Sequence, residues 1–161
     1  GVPVGACLAR GVAAETFVPG KHGSTFGGGP LACTAALTTL QVMEEDGLLA
    51  HADQLGAFIR ADISDRLKGH AGVRAIRGQG LMIGIELDRP CGDLVKIARP
   101  AAFQSTEGFI DAVAQMALAE KLLINVTNDT VVRLLPPLVM KREEAALLTE
   151  KLAELIRVFL G

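Results

Sequence analysis

Residues 22–30, with the sequence HGSTFGGGP, constrain the local fold more than any other stretch of this chain. Their glycines let the backbone adopt positive φ and approach a ligand closely. Pro30 suits the first turn of a helix, because a backbone N–H at that position would have no acceptor within the helix. The segment therefore predicts a loop that turns into a helix at Pro30 and carries the hydroxyls of Ser24 and Thr25.

Such a loop is suited to binding a phosphate group. The free N–H groups and the dipole at the start of a helix attract an anion, and Ser24 and Thr25 can add neutral hydrogen bonds to its oxygens. Serine and threonine are also common helix caps, so either hydroxyl could serve only to cap the helix. The loop taken alone leaves both interpretations open.

Composition limits the class of protein. The 161 residues are 50% hydrophobic and 21% charged, enough for a core of about one domain or parts of two. Residues 2–9 predict a buried strand directly after Gly1, at the very start of the sequence. We therefore expect a fragment of a longer chain. The net charge of -2, without a cluster of basic residues, argues against a nucleic-acid surface. Without a long apolar run or a signal peptide, we expect a soluble cytoplasmic protein.

The cysteines and histidines indicate neither a disulfide framework nor a metal site. Cys7, Cys33 and Cys91 are widely separated and lie among apolar or small residues, which predicts buried, reduced thiols. Combined with the three histidines they form no spacing typical of metal ligands. We therefore expect no bound metal.

Hydrophobic periodicity predicts helices that cover one face of a small sheet, an α+β arrangement. Gly47 and Gly69 are placed to end the first two long helices. The polar positions of the second helix, Asp62 and Arg66 among them, predict a solvated face. The predicted helices span residues 30–45, 48–68, 107–121 and 141–160, and the strands span residues 73–77, 81–87, 122–126 and 131–135, with a hairpin corner at 78–80, a polar turn at 127–130 and prolines at 136–137 ending the last strand.

Arg133 stands out because each neighbour within residues 131–135 (VVRLL) is apolar. A guanidinium in an apolar site needs an anion, and arginine can bind a carboxylate through two parallel N–H bonds. Three interpretations stay open at this point: a ligand carboxylate, an internal salt bridge for which Glu86 is a plausible partner, or exposure of Arg133 at a sheet edge.

The glycines at 78–80 do not fit a dinucleotide-binding fingerprint, because the next glycine is Gly84 and a strand follows instead of a helix. Four segments in order carry a different resemblance: residues 1–6 (GVPVGA), 22–28 (HGSTFGG), 77–87 (RGQGLMIGIEL) and 132–138 (VRLLPPL). Together they resemble the C-terminal part of the class III, fold-type I, pyridoxal-phosphate-dependent aminotransferases. The resemblance implies an α/β and α+β fold, in which residues 1–46 finish the large cofactor-binding domain with its interdomain helix and residues 47–161 form the small C-terminal α+β domain.

The resemblance also implies roles for three residues. Thr25 matches the threonine that hydrogen-bonds the phosphate of pyridoxal 5'-phosphate bound to the neighbouring subunit of a homodimer. Ser24 matches its neighbour on the substrate side, and Arg133 matches the arginine that holds the substrate α-carboxylate. The lysine that binds the cofactor covalently is expected upstream of Gly1, so no catalytic residue is assigned within the chain.

The implied activity is transfer of the δ-amino group of N-acetylornithine to 2-oxoglutarate, a step of arginine biosynthesis. Alternatives are another amino donor (succinyldiaminopimelate, ornithine or 4-aminobutyrate), another pyridoxal enzyme on the same fold, or a non-catalytic folding or dimerisation unit. Two features depart from the family pattern. Gly29 stands where asparagine is usual, and residues 98–105 look like an insertion.

Overall fold

The computed structural model describes residues 2–91, 122 and 124–161. The chain forms two compact units, Gly1–Gly47 and Leu48–Gly161. The helix predicted at 107–121 and the apparent insertion at 98–105 lie outside the described residues. The assignment of residues 1–46 to a large cofactor domain and 47–161 to a small domain stays a prediction.

The first unit contains a short helix, α1 (Val12–Thr16), and a long one, α2 (Pro30–Glu45). The predicted start of α2 is confirmed, because Pro30 is its first residue and follows the N-cap Gly29. Its predicted end is confirmed as well. Gly47 has φ +62° and its N–H donates to Glu44 O at 3.1 Å, so the chain turns out of the helix there.

Two predictions for the first unit are wrong. Residues 2–10 are exposed and form no strand, because no described segment supplies the backbone partners that a strand needs. Cys7 and Cys33 are exposed, since the described part of this unit contains no buried residue. Cys91, in the second unit, is buried as predicted, and burial raises the pKa of its thiol.

The second unit has the predicted α+β arrangement. Helices α3 (Leu48–Arg66) and α4 (Arg142–Leu160) accompany the strands β1 (Val73–Gln79), β2 (Met82–Leu87), β3 (Asn125–Thr127) and β4 (Val131–Leu134). The strands form one sheet in the order β1-β2-β4-β3 with antiparallel neighbours throughout.

The turns of the sheet follow the predicted chemistry. The hairpin between β1 and β2 is tighter than expected, because β1 continues through Gln79 and only residues 80–81 turn. Asn128 and Asp129 both have positive φ (+50° and +57°), the geometry of a tight hairpin turn between β3 and β4. The backbone N–H of Lys141 donates to Glu144 Oε2 at 2.7 Å and so fixes the start of α4.

The core lies between the two helices and one face of the sheet. Alternation along β2 and β4 places every second side chain in this core, and the remaining side chains on the opposite face, which we call the open face. Among the described residues, no helix is long and apolar enough to cross a membrane. The most deeply buried side chains are Ile59 and Ile63 of α3, Ile83, Ile85 and Leu87 of β2, Val132 of β4, and Leu152 and Ile156 of α4.

A close backbone approach sets the position of α3 against the hairpin. A Cβ atom on Gly56 would lie 1.9 Å from the carbonyl oxygen of Gly80, far inside van der Waals contact. Nearby, Arg60 Nη1 donates to the same oxygen at 3.1 Å. The helix can therefore approach the turn only because residue 56 has no side chain.

A polar contact joins α3 to α4. Asp62 Oδ2 accepts a hydrogen bond from Arg66 Nε at 2.8 Å and another from the hydroxyl of Thr149, which is fully buried. These bonds, that from Thr149 above all, hold the pKa of Asp62 below its usual value, although partial burial opposes them. The prediction that Asp62 and Arg66 only face solvent is therefore wrong.

We expect Gly56→Ala to destabilise the protein by about 1–3 kcal/mol, because the added methyl group would overlap the Gly80 carbonyl. Helix propensity alone predicts the opposite sign, a gain of about 1 kcal/mol. Urea denaturation measures the change, with Ala57→Gly at the adjacent exposed position as the control for propensity. A stabilised Gly56→Ala variant would contradict the close approach.

We expect Asp62→Asn to cost about 1 kcal/mol of stability at neutral pH, the usual value of one such hydrogen bond. Because the pKa of Asp62 is lowered in the folded state, its carboxylate contributes stability above the unfolded value near 3.9, and this contribution is lost as the pH falls through the folded pKa. The difference from wild type should therefore shrink below about pH 4. Asp65→Asn, at an exposed site on the same helix, is the control. Equal behaviour of the two variants across the pH range would refute the Thr149 contact.

Candidate cofactor and substrate residues

The loop ahead of α2 is shaped by a local hydrogen bond and by its glycines. Ser24 Oγ accepts a hydrogen bond from the backbone N–H of Gly27 at 3.1 Å. A Cβ atom on Gly27 would lie 3.0 Å from Ser24 Cβ, and Gly28 has φ +73°, so the turn favours glycine at both positions. The loop thus folds back on itself before the helix begins.

Neither hydroxyl of this loop caps α2. The N-cap is Gly29, and no side chain hydrogen-bonds the first turn there. The interpretation of Ser24 or Thr25 as a mere helix cap is therefore wrong. Thr25 is exposed, and its hydroxyl makes no hydrogen bond to any residue that the structure describes. It is available to a ligand, whereas the Ser24 hydroxyl already has a local partner.

Arg133 lies on the open face of the sheet. Its neighbours Val132 and Leu134 are buried, while Arg133 itself is exposed because alternation turns its side chain away from the helices. The prediction that it sits in an apolar environment is therefore wrong. Exposure at a sheet edge is wrong too, since β4 lies between β2 and β3, where Arg133 is opposite Gly84 and Asn125.

The internal salt bridge between Arg133 and Glu86 is not formed. Glu86 is paired with Arg77 of β1, whose Nη1 donates to Glu86 Oε2. Within residues 2–91, 122 and 124–161, Arg133 has no ion pair at all. Arg133 is therefore an exposed guanidinium without an ion-pair partner among the described residues.

The predicted site residues fall into two groups. Ser24 and Thr25 share one loop of the first unit, and Arg133 lies on the sheet of the second. Sequence reasoning missed Arg77 as the partner of Glu86, because two residues nine positions apart are expected to be in contact only once the hairpin register is known.

One other feature of the described surface contains none of the predicted site residues. A groove of about 520 Å³ between α3 and β1 is lined by the basic side chains of Arg60, Lys68 and Arg74 among others. Over the described part of the chain, no three histidine, cysteine, aspartate or glutamate side chains are grouped as metal ligands.

Comparison with known proteins gives the class. The family model described as aminotransferase class-III matches residues 1–156, so the chain belongs to this family. Among its curated relatives is acetylornithine aminotransferase 1 of Bordetella bronchiseptica, 48% identical over the full 161 residues of this chain. These residues are 36% of that relative, so the chain spans about a third of its length.

Solved structures agree with this class. An acetylornithine aminotransferase from Elizabethkingia anophelis superimposes with a TM-score of 0.70 at 29% identity, over 91% of this chain and 35% of that one. An ornithine aminotransferase from Toxoplasma gondii gives a TM-score of 0.72 at 29% identity, over 91% of this chain and 31% of that one. The latter structure has partial occupancy of pyridoxal phosphate at its active site. Pyridoxal phosphate is the cofactor of the class-III family.

The loop of the first unit fits the phosphate group of this cofactor. It offers the exposed Thr25 hydroxyl without a described partner, glycines at 27–29 that let a ligand approach the backbone, and the N-terminus of a helix of 16 residues just beyond. The hydroxyl donors of the loop are neutral, and the partial positive charge at a helix N-terminus attracts an anion such as phosphate.

Proposed function

We propose that this chain is the C-terminal part of a pyridoxal-phosphate-dependent aminotransferase that moves the δ-amino group of N-acetylornithine to 2-oxoglutarate. The observation that carries the proposal is the exposed Arg133, which has no described ion-pair partner on the open face. The 48% identity to the Bordetella acetylornithine aminotransferase over the whole chain supports this choice of substrate.

Arg133 binds the α-carboxylate that both substrates share. A planar guanidinium can donate two parallel hydrogen bonds to a carboxylate, so it orients the substrate as well as attracting it. Val132 and Leu134 are anchored in the core on either side, which fixes the backbone from which Arg133 extends.

Thr25 holds the phosphate of the cofactor through its hydroxyl, and Ser24 lies on the substrate side of the same loop. The family pattern places this contact across a homodimer interface, on the cofactor of the neighbouring subunit. When bound, pyridoxal phosphate supplies the electron sink for amino-group transfer, and the protein supplies binding and orientation. None of the lysines at 21, 68, 96, 121, 141 and 151 matches the family's cofactor lysine, so no proton carrier is assigned among residues 1–161.

Ornithine is a second candidate amino donor, favoured by the TM-score of 0.72 with the Toxoplasma ornithine aminotransferase. Ornithine and N-acetylornithine both have a δ-amine and an α-carboxylate, so Arg133 can bind either. Comparing kcat/KM for the two donors in the full-length enzyme tests the choice. Preference for ornithine would replace the first candidate.

We expect Thr25→Ala in the full-length enzyme to weaken pyridoxal phosphate binding by about 1 kcal/mol, or roughly fivefold in Kd, because one hydrogen bond to the phosphate is lost. Thr25→Ser keeps the hydroxyl and should retain most of the affinity. Equilibrium dialysis at limiting cofactor measures both variants. Unchanged cofactor retention in Thr25→Ala would remove Thr25 from the cofactor site.

We expect Arg133→Lys to fold normally and to lower kcat/KM about tenfold for the amino donor and for 2-oxoglutarate, since lysine cannot reproduce the two-point grip. An amine that lacks an α-carboxylate should lose far less. Kinetics on such a substrate pair, with melting temperature measured alongside, separates the roles. Equal losses on both amines would show that Arg133 is not the carboxylate clamp.

A further inference from the structure

Arg133 shares the open face with a second arginine and a glutamate. The register places Arg77, Gly84, Arg133 and Asn125 opposite one another in a single row across β1, β2, β4 and β3. Gly84 has no side chain, and the Val131 side chain lies beside it, with Cγ1 3.3 Å from where a Cβ atom of residue 84 would be. Arg77 and Arg133 thus lie on the same face, on the two strands that flank β2.

Glu86 is the acidic residue within the strands that the structure describes. It lies two residues beyond Gly84 on β2 and on the same face. The register makes Glu86 a diagonal neighbour of Arg77 on β1. With the same offset of two residues, Glu86 is also a diagonal neighbour of Arg133 on β4. Diagonal neighbours on antiparallel strands are within reach of each other when both side chains are long, as glutamate and arginine are.

The structure shows which arginine Glu86 contacts. Arg77 donates to Glu86, and Arg133 forms no ion pair with any described residue. The pair lies near the surface, with side chains of Arg77 and Glu86 exposed by 57% and 29%. A surface pair of this kind contributes little to folding stability, so its stabilising effect does not account for the arrangement.

We propose that Arg77 is a positioning residue that holds Glu86 away from Arg133 and so keeps Arg133 free for the substrate carboxylate. The inference rests on the proposed function, since it needs Arg133 to bind a carboxylate. Glu86 is tethered to the same sheet, so without Arg77 it competes with the substrate at a high effective concentration. Substrate would then bind only the fraction of molecules in which Glu86 is turned away, and its apparent affinity would fall by that fraction.

The test compares Arg77→Met, Arg77→Lys, Glu86→Gln and the double variant Arg77→Met/Glu86→Gln in the full-length enzyme. In Arg77→Met we expect the KM for 2-oxoglutarate, and the Kd of glutarate as a simple carboxylate probe, to rise about two- to fivefold, with kcat nearly unchanged. Arg77→Lys keeps a cation beside Glu86 and should stay close to wild type. The double variant should recover the wild-type values, because the competing carboxylate is gone.

Arg89→Met is the matched control. It breaks another surface pair of arginine with an acidic residue, Arg89 with Asp88, which lies outside the strands of the sheet. This variant should change neither the KM nor the Kd. An amine without an α-carboxylate should be turned over equally by wild type and all Arg77 and Glu86 variants.

Three results would overturn the inference: an unchanged KM in Arg77→Met, a loss that the double variant does not recover, or an equal loss on the amine that lacks the carboxylate. Arg133→Lys, assayed in parallel, distinguishes failure of the role inferred for Arg77 from failure of the proposed function of Arg133. If Arg133→Lys discriminates between the two amines and Arg77→Met has no effect, only the role of Arg77 fails. If Arg133→Lys does not discriminate, the proposed clamp itself fails.

Discussion

The register of β2 between β1 and β4 is the constraint on which the second unit depends. Ile83, Ile85 and Leu87 enter the core from one face, and Gly84 and Glu86 are thereby placed on the other. Slipping the register by one residue would exchange the two faces, exposing three large apolar side chains and burying a carboxylate. The packing of the hydrophobic core therefore determines which side chains of β2 lie on the open face.

Sequence reasoning succeeded where the signal was local. Pro30 and Gly47 bounded α2 correctly because each acts through its own backbone geometry, and the apolar periodicity predicted α3 and α4 well. It failed where the outcome depended on partners distant in sequence. An apolar composition at residues 2–9 predicted a strand, but a strand exists only when another segment supplies hydrogen bonds. Asp62 was assigned to solvent for the same reason, because no residue near it in sequence indicates its hydrogen bond with Thr149.

Arg133 also shows the limit of predictions that rest on neighbours in sequence. Four apolar neighbours suggested an apolar site for the guanidinium and left exposure open as an alternative. In a strand, however, the immediate neighbours lie on the opposite face and say little about the surroundings of the side chain. The relevant neighbours are across the sheet, at Gly84 and Asn125. The family resemblance supplied a role for Arg133 that its sequence context alone left open, and that role stays a prediction.

An exposed guanidinium is also better suited to reversible carboxylate binding than a buried one. A buried charge needs a permanent partner, because leaving it unpaired in an apolar site costs several kcal/mol. An arginine that must bind and release a carboxylate in every cycle is unpaired for part of that cycle, and water can solvate it only on an open face. The cost of this arrangement is competition from nearby acidic side chains. Within the described strands the acidic residue, Glu86, is paired with Arg77, so the positive charge of Arg133 is not neutralised by an ion pair there and attracts a further carboxylate.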